Sequence, residues 1–99
     1  MESKNQEKVI GVGWYKPEQW ALLLSASVDR DELESTYAEW LTSAESSLKA
    51  IRKTGWTLIK IDIDVEELIF WCNKAGMPLD GNARAQFIID KTREMDQKA

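Results

Sequence analysis

Ninety-nine residues with a net charge of −4 make a single domain with room for one modest core. Hydrophobic residues are 43% of the chain and charged residues 30%, a globular balance that excludes wholesale disorder. No run approaches the roughly 18 apolar residues of a membrane span, and the chain has no histidine, which removes every Ser-His-Asp, Cys-His and His-zinc arrangement.

Residues 1–7 are polar and expected to fray, leaving 8–99 as the globular unit. Their mixed charges lack the basic and then apolar regions of a signal peptide. Val9 to Tyr15 alternates, with Ile10, Val12 and Trp14 on one face and Val9, Gly11, Gly13 and Tyr15 on the other. That spacing predicts a strand. Pro17 suits the first position of a helix whose apolar stripe is Trp20, Leu23, Leu24 and Val28. "DRDE" then reads as a capping box, Asp29 as N-cap and Glu32 three residues on. It opens a long helix with Leu33, Tyr37, Trp40, Leu41, Ala44, Leu48 and Ile51 at helical spacing. Arg30–Glu34 and Glu45–Lys49 are expected as i,i+4 pairs on its outer side. Arg52 and Lys53 suit its last turn and Gly55 its C′ position.

"WTLIKIDID" predicts the second strand, Ile59, Ile61 and Ile63 alternating with Leu58, Lys60 and Asp62. Asp64 and Glu67 repeat the capping device. Val65, Leu68, Ile69 and Cys72 form a third buried stripe, widened by Phe70 and Trp71, which Gly76 and Pro78 end. Asp80 caps a fourth helix with Phe87, Ile88 and Met95 facing inward, and the chain turns polar and frays from Lys91. The expected fold is therefore α+β or small α/β, in the order β-α-α-β-α-α. It has a two-stranded sheet and four helices packed mainly on one face. The long helical crossover suits a parallel pair without forbidding an antiparallel one.

"GVGWYK" is neither a dinucleotide fingerprint nor a P-loop, since the third glycine and the G-K-[ST] ending are missing. The preferred reading is that Gly11 and Gly13 admit a close neighbour, a helix or a second chain. The alternative is an anion site at Gly13–Lys16, a phosphate or nucleotide binder in which Trp14 or Tyr15 walls the ligand and Lys16 and Arg84 neutralise it. Arg84 is unusual in a first helical turn, and pairing with Asp80 is its plainer explanation. Asp62 and Asp64 could hold Mg²⁺ in a carboxylate-only enzyme site, but solvent exposure and helix capping already account for them. Cys72, the one cysteine, sits on an apolar stripe and reads as a small core residue.

Asp29 to Glu67 holds ten acids and five bases, and no Lys/Arg stripe is interleaved with aromatics, so no nucleic-acid partner is expected. The runs "GWYKPEQW", "TYAEWL" and "WCNKAGMPLDGNARAQF" resemble a family of small single-domain bacterial proteins with no assigned activity. The resemblance implies a bacterial, cytoplasmic protein and carries over no functional residue. One cysteine and no signal peptide point to the same compartment. Unpaired strand edges and five tryptophans suggest a non-enzymatic interaction module that self-associates or takes a protein partner, with no cofactor and no membrane.

Overall fold

The structure, a computed structural model, describes residues 9–98, with side chains through Met95. The expected fraying of residues 1–7 lies outside the described residues. Strand β1 (Val9–Trp14) leads through a 3-10 turn at Pro17–Gln19 into α1 (Trp20–Ala26). A second 3-10 turn at Arg30–Glu32 precedes α2 (Tyr37–Arg52), and β2 (Thr57–Asp62), α3 (Val65–Ala75) and α4 (Gly81–Lys98) follow. This is an α+β fold in the order β-α-α-β-α-α.

The strands pair in parallel, Ile10 beside Leu58 and Trp14 beside Asp62. The crossover through α1 and α2 supplies the length that parallel pairing requires. Gly11 and Gly13 lie against α4, where Thr92 and Ile88 fill the space a side chain would need. The close neighbour expected from the glycines is thus a helix of the same chain. On that face Ile61 and Ile63 join Leu23 of α1, Leu68 and Cys72 of α3, and Phe87 of α4 in one core. The C-terminal half of α2 flanks the opposite face, beside Trp14 and Lys60. Trp20 is buried within an aromatic cluster with Tyr15, Tyr37 and Trp40, its ring centroid 5.7–6.2 Å from theirs.

Several local expectations are corrected. The second helix starts at Tyr37, capped by Thr36, whose Oγ1 accepts from the Glu39 N–H at 3.1 Å. Asp29 makes no side-chain cap because its carboxylate is committed to Arg84, and so no helix carries the Arg30–Glu34 pair. α1 ends at Ala26, which leaves Val28 69% exposed. Phe70 and Met95, expected inside, are exposed, while Trp71 packs edge-on against Phe87 between α3 and α4. α4 stays helical past Lys91 to Lys98. Glu45 and Lys49 share a face of α2 but do not come within ion-pair distance.

The remaining caps fall where expected. Asp64 Oδ1 accepts from the N–H groups of Glu66 and Glu67, and Asp80 Oδ1 from that of Ala83. Gly76 takes φ of 69° at the end of α3, the left-handed conformation of lowest steric cost to glycine. Gly55, expected at the C′ position of α2, also has a positive φ, 83°, but lies one residue further, in the turn after the C-cap Lys53.

Candidate functional site

The most distinctive feature among the described residues is the edge of β1 that pairs with no second strand. In a strand, a residue's N–H and C=O point to one side and alternate along the chain. The Trp14 carbonyl accepts from the Ile63 N–H at 3.0 Å, so Ile10, Val12 and Trp14 turn their backbone groups toward β2. Those of Val9, Gly11 and Gly13 face the open side. One step further, the Tyr15 carbonyl accepts from the Tyr37 hydroxyl at 2.9 Å, which closes the edge there. The open stretch is therefore Val9–Gly13. Beside it runs a cleft of about 410 Å³ between β1 and α4, lined by Val9, Ile10, Gly11, Ile88, Ile89, Thr92 and Arg93. Ile89 is 44% exposed on its rim.

The residues singled out from the sequence are distributed differently. Trp14 is half-buried, edge-on to Trp40 at 5.1 Å, with the Lys60 ammonium 4.1 Å above its ring. Tyr15 is buried, and that burial pushes its phenol up, the Arg84 charge pulling the other way. Lys16 is exposed and lines a cleft of about 170 Å³ with Glu18, Gln19, Asp62, Ile63 and Asp64. Three carboxylates against one ammonium disfavour an anion there. The N-terminus of α3 is also satisfied, because Gln19 Oε1 accepts from the Val65 N–H at 2.9 Å and Asp64 takes the next two N–H groups.

Arg84 does not line that cleft. Its guanidinium donates to both carboxylate oxygens of Asp29, at 3.0 and 2.6 Å, and to Ser27 Oγ at 3.1 Å. The pairing is with Asp29 and not Asp80, whose Oδ1 accepts from the Ala83 N–H as the cap of α4. Arg84 holds the Asp29 carboxyl below its ordinary range, chiefly through the side-chain hydrogen bond. This bidentate pair ties the chain after α1 to the first turn of α4.

Asp62 is exposed and Asp64 is the α3 cap. Among the described residues, no three carboxylate or thiol side chains gather closely enough to hold a metal ion. Cys72 is buried at 3% exposure, and burial raises its thiol, away from nucleophilic thiolate character. Lys91 pairs with Glu67 across α3 and α4, which raises the ammonium by the hydrogen bond it donates.

Sequence reading missed two groups. Ile89, Thr92 and Arg93 line the edge cleft, and their nearness to β1 depends on the docking of α4. Lys49, Arg52 and Lys60 line one cleft with Trp14 on the other face. A signal for the second was present: residues 46–61 contain four bases and no acid in an otherwise acidic chain.

No helix among the described residues is long and apolar enough to cross a membrane. The chain matches no protein-family model, no curated protein and no solved structure.

Proposed function

We propose that this chain is a non-enzymatic interaction module that self-associates through the open edge of β1. The observation that carries the reading is the row of outward backbone groups at Val9, Gly11 and Gly13 beside the apolar rim at Ile89. Such an edge offers donors and acceptors to an extended segment, and alternate side chains find the neighbouring cleft. A two-stranded sheet is marginal by itself and gains from further strands.

A second copy suits this edge because two-fold pairing is self-complementary. Two copies of β1 running antiparallel around Gly11 would bring outward groups opposite outward groups, giving the strand order β2-β1-β1-β2. Both Ile89 side chains would then leave water. Acidic chains repel one another, so association strengthens as salt rises.

Light scattering and native mass spectrometry test this directly. The expected wild type is a dimer whose melting temperature rises with protein concentration. Val9→Pro removes an outward N–H at the first residue of the strand, where proline is tolerated. Ile89→Lys charges the rim from an exposed helical position. Each variant should stay folded by circular dichroism and become monomeric. A monomeric wild type at high protein concentration, or a dimer that survives both substitutions, refutes the proposal.

A further inference from the structure

The chain is acidic, yet its second cleft is cationic. Lys49 and Arg52 of α2 and Lys60 of β2 line a cleft of about 480 Å³ on the sheet face opposite α4. None of the three belongs to either ion pair found among the described side chains. Placing Lys49 and Arg52 in the last turn of α2 offsets the helix dipole, which explains those two. It does not explain Lys60, which comes from the sheet and lies 4.1 Å above the Trp14 ring. That contact holds the ammonium at the cleft instead of leaving it free in solvent.

The cleft has two chemically distinct ends. α2 advances about 1.5 Å per residue, so Thr42 and Arg52 lie roughly 15 Å apart along it. Lys49 and Arg52 stand at one end. Thr42, Glu45 and Ser46 stand toward the other, beside Trp14. The Thr42 hydroxyl donates to the Ala38 carbonyl at 3.1 Å, so what it presents to the cleft is an acceptor. Glu45 is likewise an acceptor, while the two cations are donors only. A matching ligand carries an anion at one end and hydroxyl donors at the other. A volume of about 480 Å³ exceeds a bare anion and lies within the ordinary range of small-ligand sites, roughly 300–1,000 Å³.

We propose that this cleft binds a hydroxylated phosphomonoester, a sugar phosphate or nucleoside monophosphate. Arg52 and Lys49 take the phosphate, by the planar fork and the point charge that suit it. Lys60, held over the Trp14 ring, adds positive charge to the cleft from the sheet side, toward the hydroxyl end. Glu45, Thr42 and Ser46 accept from the ligand hydroxyls, and Leu48 and the Trp14 indole form the apolar wall. The nucleic-acid backbone is a poorer match, because ten acids against five bases between Asp29 and Glu67 repel an extended polyanion.

The test is a titration of the isotope-labelled chain with glucose 6-phosphate, AMP and inorganic phosphate, followed by amide and indole chemical shifts. The expected result is saturable perturbation at Lys49, Arg52, Lys60 and the Trp14 indole, with at least one ester binding more tightly than inorganic phosphate. Which ester wins separates the sugar phosphate from the nucleotide. Arg52→Ala and Lys49→Ala, both at exposed positions, should each weaken binding tenfold or more. Lys53→Ala removes a neighbouring charge that does not line the cleft and should leave affinity unchanged. No saturable change with any of the three probes overturns the proposal. So does an equal loss in Lys53→Ala, which would mean diffuse charge attraction. Esters binding no better than inorganic phosphate overturn it as well.

Discussion

At Gly11 the room for a side chain is already occupied. A Cβ there would stand 1.7 Å from Thr92 Oγ1 and 2.9 Å from Thr92 Cβ. The threonine cannot simply turn away, because its hydroxyl donates to the Ile88 carbonyl at 2.7 Å. Gly11→Ala should therefore destabilise by about 1–3 kcal/mol in urea unfolding. Adding Thr92→Ala removes the two outer atoms of the clash and should recover part of that loss. Strict additivity of the two substitutions would show that they do not touch. Asp29 is a second residue whose role is long-range. Its native carboxyl titrates below the unfolded value, so the unfolded chain binds the proton first as pH falls. The stabilisation is thus full well above the unfolded pKa of about 3.9, shrinks from there downward, and disappears once the native carboxyl is itself protonated. Asp29→Asn should cost about 1.5–3 kcal/mol at neutral pH, the range for a hydrogen bond to a charged group. The gap from wild type should narrow below about pH 4. A gap that stays constant to pH 3 would assign the effect to something other than this ion pair.

At the scale of elements, legibility follows the distance over which the ends are decided. α3 is bounded by Asp64, which accepts from N–H groups two and three residues on, and by Gly76 in the left-handed conformation. Both signals act within one turn, and both are readable as sequence. The start of α2 is different. Two capping patterns compete, "DRDE" at Asp29 and "TYAE" at Thr36. The acid of the first is drawn away by Arg84, 55 residues later, and the second becomes the cap. Nothing local to residues 29–39 announces that choice. Thr36→Ala should cost about 1 kcal/mol, the usual value of an N-cap, measurable by urea unfolding. No loss of stability would mean that the helix end is held by packing alone. The exposure of Phe70 has the same kind of origin. It adjoins the stripe of Val65, Leu68, Ile69 and Cys72 in the sequence, and the packing of Trp71 on Phe87 leaves it on the outer side.

At the scale of the whole molecule, the open edge and the cationic cleft share one cause. Two strands cannot close a sheet on themselves, so backbone groups of β1 stay outward beside α4. On the other face the C-terminal half of α2 borders a cleft that the Lys60 and Trp14 side chains help to line. By itself the sequence determined the six elements and their order, both positive-φ glycines, the caps of α3 and α4 and the alternation of both strands. Each of these rests on spacing or on contacts within a few residues. Tertiary structure alone decided the parallel register, the partner of Arg84, the onset of α2, which aromatics stay in water, and the meeting of Lys49, Arg52 and Lys60. Those depend on groups far apart in the chain, and their positions follow from how the helices dock to bury Leu23, Ile63, Val65 and Leu68.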